Sequence, residues 1–208
     1  MFEIMATSGE VKVVVFDLNG TFYNESSKDE FYKFICLKRP KRLWFVFQMA
    51  FYKVLKKLHQ VNKTEFKENF FNYLDDLPPS QVEKYAAEFW EREYPANFNQ
   101  ELKKHFDELR EKGIKIFCAT GGLELYVKPL FKLFQVDGFA GTRVAYTNNT
   151  YKVLGKACKN NEKLKRLDEA FSEKPYRIIE AYSDSKEEIL DKAEKAFLIK
   201  NGHISPYS

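Results

Sequence analysis

A few polar residues at the ends of apolar runs carry the chemistry open to this chain. Asp17 closes the run "VVVFD", and Asn19 and Gly20 stand in the turn that follows. Thr120 closes "KIFCAT", ahead of Gly121 and Gly122, and Asp184 follows "IIEAYS" with Glu187 and Glu188 just beyond. Lys163 lies in a stretch of alternating charge that opens near Asn160. Singly, an Asp after a strand is most often a turn former or a helix cap. Brought to one place, two carboxylates, a hydroxyl and an ammonium make a set suited to phosphoryl transfer. A carboxylate can attack phosphorus and form an aspartyl phosphate, which splits one hard displacement into two easier ones. An anion approaching a phosphate dianion needs compensating positive charge. A hard, oxygen-ligated Mg²⁺ supplies part of it; a lysine, a hydroxyl and the backbone N–H groups of a glycine turn supply the rest.

These residues need strands to aim them. "VKVVVFD" is too continuously apolar for an edge strand and predicts a parallel sheet covered on both faces. Residues 26–95 read as helices: "SSKDEFYKFICL" behind serine caps, an aromatic run after Pro40, "KTEFKENFFNYLDDL", and "PPSQVEKYAAEFWEREY" behind a proline pair. The remainder alternates. Helix "NQELKKHFDELREKG" leads to strand "IKIFCAT", helix "LELYVKPLFKLF" and short β segments around "FAGTRVAYTNNTYKVLG". Helix "NNEKLKRLDEAF", strand "YRIIEAYSD", helix "KEEILDKAE" and strand "AFLIKNG" complete it. The expected class is α/β, a Rossmann-like doubly wound parallel sheet with an inserted all-helical unit. Residues 1–24 and 96–208 would form the core and 25–95 the insertion. An insertion there sits over the carboxyl ends of the strands, where such folds bind ligands.

Composition sets bounds on partners. The chain has 208 residues, 44% hydrophobic, which is ample for a folded core. Its 34 basic and 30 acidic residues leave a net charge of only +4, short of the concentrated excess of a nucleic-acid binder, so no nucleic-acid partner is expected. Three cysteines without a C-x-x-C pair suggest reduced thiols and a cytoplasmic setting. Residues 1–10 lack the apolar stretch of a signal peptide. His59, His105 and His203 are scattered and form no ligand cluster.

The longest apolar run, "RLWFVFQMAFYKVL", has an uncharged part at 43–52, about half of what a bilayer-spanning helix needs. Lys38, Arg39, Lys41 and Arg42 precede it; Lys53, Lys56 and Lys57 follow. The expectation is a buried helix with solvated ends; an interfacial helix on anionic lipid, peripheral to a membrane, is the other reading. Asp29 and Glu30 open the first inserted helix, where acidic residues favour the macrodipole and a carboxylate could also meet a substrate amine. Arg143 could bind a second anionic group, or be an ordinary surface arginine.

"DLNGT", "CATGG", the lysine of "CKNNEKLKRL" and "YSDSKEE" follow one another in the order and rough spacing of four motifs. In this the chain resembles the haloacid dehalogenase-like phosphatases, over nearly its whole length. It looks most like the phosphoserine phosphatase-like branch with a type C1 helical cap, and is similar to phosphatidylglycerophosphatase C-like members. The resemblance implies that Asp17 is the nucleophile and a Mg²⁺ ligand, with Asn19 lending its backbone carbonyl to the metal. It implies that Thr120 and the amide of Gly121 hold the phosphoryl group. Lys163 would neutralise charge and orient Asp17, with Lys156 and Lys159 as substitutes; Asp184 would be the second metal carboxylate, supported by Glu188. Ser183 stands where the family usually has glycine, which is tolerable if its φ is negative. The implied substrate is a small-molecule phosphomonoester, and the aromatic insertion would suit a large or lipidic one.

Asn19 is the departure. The family usually places there an Asp that protonates the leaving oxygen and then deprotonates water. An amide cannot exchange a carboxyl proton, so slow turnover of alkyl phosphates is expected, with aryl phosphates and phosphoanhydrides suffering less. Three readings of Asn19 stay open. It could be a deliberate replacement that silences the enzyme. It could be native to an enzyme with an easy leaving group or a substitute acid such as Glu187. Or it could mark a catalytically silent module that binds phosphate esters or a membrane surface.

Overall fold

A computed structural model describes residues 10–45, 47, 50, 51, 54 and 71–207. Strand β1 (Val11–Phe16) lies inside the sheet, and Val13, Val14, Val15 and Phe16 are fully buried. Its side chains alternate across the pleat: Val14 and Phe16 join one apolar cluster, Val13 and Val15 the other. This two-sided burial is why the run is continuously apolar. The chain continues with β2 (Lys115–Leu123) and β3 (Gly138–Thr142), a separate hairpin of β4 (Val144–Thr147) and β5 (Thr150–Val153), then β6 (Tyr176–Ser183), β7 (Lys195–Lys200) and β8 (His203–Pro206). The six-stranded sheet has the order β3-β2-β1-β6-β7-β8, with β8 alone antiparallel to its neighbour. The chain winds outward from β1 first through β2 and β3, then through β6 to β8. The carboxyl ends of β2, β1 and β6 therefore meet at a topological switch point, where a crevice opens.

The longer described helices are α1 (Ser27–Lys38), α2 (Pro79–Glu93), α3 (Gln100–Glu111) and α4 (Asn161–Ala170); α3 and α4 pack on the sheet, and α1 packs on α2. α3 starts where the Asn99 side chain accepts from the Leu102 amide at 3.1 Å, and buries Leu102, Phe106 and Leu109 at helical spacing. α2 carries proline in its first turn, where the missing N–H costs nothing, and buries Val82, Ala86, Phe89 and Trp90. Phe31 and Ile35 of α1 and Phe89 and Trp90 of α2 belong to the same apolar cluster as Val14, Phe16 and Phe106. The inserted helices and one face of the sheet thus share a single core.

Several expected elements differ. No helix forms over 186–194; Leu190 donates to the Glu187 carbonyl and Ala193 to the Leu190 carbonyl, i→i+3 bonds of successive turns. Adjacent Ile189 and Leu190 are both buried there, which an amphipathic helix does not require. The helix expected over "LELYVKPLFKLF" is a short one, Glu124–Val127, followed by a 3₁₀ turn, Lys128–Lys132, because Pro129 cannot donate to an α-helical ladder. In "KTEFKENFFNYLDDL" only 71–77 lie within the described residues, and they hold a 3₁₀ turn at Asn72–Leu74. His59, Lys53, Lys56 and Lys57 lie outside them.

Cys36, Cys118 and Cys158 are free and buried. Burial pushes all three thiols up, Cys158 to about 12. Reaction with a disulfide reagent such as Ellman's is therefore expected to be slow in the folded protein and to release three equivalents on unfolding. Fast reaction of any thiol in the native state would contradict this placement.

Candidate active site

Asp17 immediately follows β1, and its amide donates to the Tyr182 carbonyl of β6 at 2.9 Å, so the strand ladder fixes its backbone. Asp184 immediately follows β6. Thr120 sits in β2, fully buried, on the other side of β1. Three neighbouring strands thus bring these residues together although more than a hundred positions separate Asp17 from Thr120. They surround a cleft of about 230 Å³ lined by Asp17, Asn19, Gly121, Lys163, Asp184 and Glu187.

Lys163 anchors it. Its Nζ stands 3.0 Å from Asp17 Oδ2 and 2.5 Å from Glu187 Oε2, and its side chain is 2% exposed. The first turn of α4 supplies Lys163 and the next supplies buried Leu167, one helical face with an ammonium at its site end and a methyl cluster behind. Burial by itself would lower this ammonium, but the charges of Asp17 and Glu187 outweigh it and hold the group raised above its ordinary value. Lys163 stays charged through the neutral range. Burial also raises Asp184, and the negative charge of Asp17 raises it further. Like-charged carboxylates kept this close are what a cation relieves. Asp17, Asp184 and the Asn19 carbonyl are hard oxygen donors, and two carboxylates suffice for a magnesium-type ion that keeps several waters. Among the described residues no three His, Cys, Asp or Glu side chains are placed to hold a metal ion together.

Gly20 has φ +69°, and a Cβ there would stand 2.8 Å from Asp184 Oδ2. Glycine is required at this turn both by its left-handed backbone and by the approach of the carboxylate. Ser183 is not among the residues of positive φ, so serine at that position carries no strain.

Asn19 uses its side chain twice. Its Oδ1 accepts from the Ser27 amide at 2.7 Å, capping α1 from outside the helix, and its Nδ2 donates to Thr120 Oγ1 at 3.3 Å. The Gly122 amide donates to the same Thr120 oxygen at 3.1 Å. Two donors on one hydroxyl oxygen leave its own proton for a third group. Ser27 Oγ in turn meets Tyr126 Oη at 3.1 Å, and Trp90 Nε1 donates to the Tyr126 carbonyl at 2.6 Å, so α1 and α2 hold the aromatic wall of the cleft.

Glu188 does not line the cleft; its neighbour Glu187 does. An acidic residue four positions after Asp184 would approach the site from a helix turn, and that turn is not helical here. Lys159 lines the cleft beside Lys163, whereas Lys156 is exposed outside it. Asp29 pairs with Lys28 at 2.6 Å and Glu30 with Lys33 at 2.6 Å. Arg143 lies 3.4 Å from Glu124 in a separate groove. His105 meets Glu180 at 2.7 Å, away from the cleft. Thr142 was not legible beforehand: it donates to the Gly121 carbonyl at 3.2 Å and accepts from the Cys158 amide at 3.1 Å, tying the glycine turn to the segment that leads into α4. No local sequence signal marks it, because both partners are distant in the chain.

The family model for haloacid dehalogenase-like hydrolases matches residues 14–187, most of the chain and every strand-end residue above. The protein belongs to this family. Several solved structures share the fold. A protein of unknown function from Bordetella pertussis Tohama I is 14% identical, with TM-score 0.76 over 90% of this chain and 89% of that one. A phosphoserine phosphohydrolase-like protein from Francisella tularensis subsp. tularensis SCHU S4 is 19% identical, with TM-score 0.61 over 89% and 86%. A phospho-aspartyl intermediate analogue of phosphoserine phosphatase is 19% identical, with TM-score 0.56 over 90% and 86%. At these identities the likeness is one of fold. No curated protein matches the sequence.

Proposed function

We propose that this protein is a Mg²⁺-dependent phosphomonoester hydrolase that works through an aspartyl phosphate on Asp17, and that Asn19 slows it. The observation that carries the reading is the buried Lys163 ammonium held 3.0 Å from Asp17 Oδ2 in a cleft shared with Gly121 and Asp184. Lys163 orients the carboxylate and offsets charge as a phosphate dianion approaches. The amide of Gly121 and the free proton of Thr120 face the transferring oxygens. Asp17 attacks phosphorus as the ester P–O bond breaks, and the leaving oxygen takes its proton from solvent because the Asn19 amide has none to give. Water then attacks the phosphoryl group, releasing phosphate and restoring the Asp17 carboxylate. A Mg²⁺ held by Asp17, Asp184 and the Asn19 carbonyl would supply positive charge to the phosphoryl oxygens throughout. The phosphoserine phosphatases among the fold neighbours support the reaction class.

The test is to incubate the protein with para-nitrophenyl phosphate and Mg²⁺, quench in acid and map the adduct by mass spectrometry. One phosphoryl group on the peptide of Asp17, labile to base and absent in Asp17→Asn, is expected. A protein that binds the ester without forming the adduct would support the silent module, a reading that the two structural bonds of Asn19 favour.

A further inference from the structure

Of the aromatic run expected to be buried, the described Leu43, Trp44, Phe47 and Phe51 are exposed. After α1 the chain makes a 3₁₀ turn, Pro40–Trp44, and the described residues beyond it, 45, 47, 50, 51 and 54, are helical. Trp44, Phe47, Phe51 and Val54 follow one another at steps of three and four, the spacing of one helical face. Together with Leu37 and Leu43 they are 56% to 74% exposed, while Phe45 between them packs against the core. The Trp44 and Phe47 rings touch, with centroids 5.3 Å apart. Soluble monomers rarely present so continuous an apolar stripe unless something covers it.

Charge says what covers it. Residues 31–64 hold nine lysines and arginines and no Asp or Glu. The charges are therefore not evenly interspersed, as the totals suggest: this segment carries +9 and the rest of the chain −5 of the net +4. Lys38, Arg39 and Lys41 are exposed beside the stripe; Lys38 also reaches Glu88 at 2.6 Å, and Arg39 donates to the Tyr85 hydroxyl. A second copy docking by the same patch would set Lys38, Arg39, Lys41 and Arg42 against the same four cations. The uncharged part of the run, 43–52, is about half of what a bilayer-spanning helix needs, so a lipid surface is met from one side.

We propose that this stripe seats the protein on an anionic bilayer surface, with Trp44, Phe47, Phe51 and Val54 in the headgroup–acyl boundary and the neighbouring basic side chains on lipid phosphates. The inference goes beyond the hydrolase reading and does not depend on it. α1 would carry the seating to the site, since its N-terminal end lies at the cleft through Ser26 and Lys28 and its other end is Lys38, where the stripe starts.

The chain contains its own probe. Of its two tryptophans, Trp90 is fully buried and Trp44 is 74% exposed. Vesicles of phosphatidylcholine with phosphatidylglycerol should shift tryptophan emission to the blue and carry the protein down on sedimentation. In Trp44→Phe the shift should vanish while sedimentation persists. Phe47→Ser with Phe51→Ser should weaken partitioning roughly tenfold or more. Lys41→Glu with Arg42→Glu should weaken it at least about 20-fold, as raised salt also should. All five positions are solvent-facing or half-buried, and circular dichroism checks that the variants stay folded. The proposal is overturned by equal binding to pure phosphatidylcholine, or by no sedimentation with anionic vesicles. It is equally overturned by a blue shift that follows protein concentration without lipid, which would assign the stripe to self-association.

Discussion

Asn19→Asp is expected to raise hydrolysis of an alkyl phosphate such as glycerol phosphate by roughly 10²–10⁴-fold. The gain comes from a carboxyl proton placed where the leaving oxygen departs. Much of the surrounding geometry survives the change, because an aspartate oxygen can still accept from the Ser27 amide as Asn19 Oδ1 does at 2.7 Å. The other bond must reverse. Asn19 Nδ2 donates to Thr120 Oγ1, whereas a carboxylate there would take the Thr120 proton or carry its own. The gain should therefore depend on the leaving group. Para-nitrophenolate departs without protonation, so para-nitrophenyl phosphate should gain less than glycerol phosphate from the same substitution. Measuring kcat/KM for both substrates in both proteins decides the matter. Equal gains on the two would show a structural effect, and no gain on either would remove Asn19 from the reaction.

Lys163→Met is expected to cost about 3–5 kcal/mol of stability at neutral pH and to abolish turnover. Removing the ammonium leaves Asp17 and Glu187 facing one another with no cation where Lys163 now stands 3.0 Å and 2.5 Å from them. The loss has a sign in pH. Burial already raises Glu187, and without its partner it would rise further. A carboxyl raised in the folded state keeps its proton at a pH where the unfolded chain has released it, so stability falls as pH rises above the ordinary carboxylate range. The deficit of Lys163→Met relative to the parent should thus be large at neutral pH and shrink towards pH 4. Denaturant unfolding at several pH values reads it directly. A deficit independent of pH would mean that packing of the lysine stem, rather than its charge, holds the site.

Much of this protein was legible in its sequence. The unbroken apolar run before Asp17 is a local property, and it determines a strand buried on both faces because no pleat side can then face water. Alternation of helix and strand determines a parallel sheet, and a parallel sheet places every strand-end residue on one edge. Asp17, Thr120 and Asp184 share that edge for this reason, and Lys163 joins them from the first turn of α4. What the side chains then touch is decided by tertiary packing. Glu187 rather than Glu188 reaches Lys163 because the turns after β6 bury Ile189 and Leu190 together, and no periodicity encodes that. Asn19 reads locally as a missing proton; only the fold makes it a cap for α1 and a donor to Thr120, since its partners lie eight and 101 positions away. The aromatic run from Leu43 shows the limit from the other side. Its hydrophobicity is written in the sequence, but burial depends on whether another surface meets it, and here the folded chain leaves Trp44 in the open.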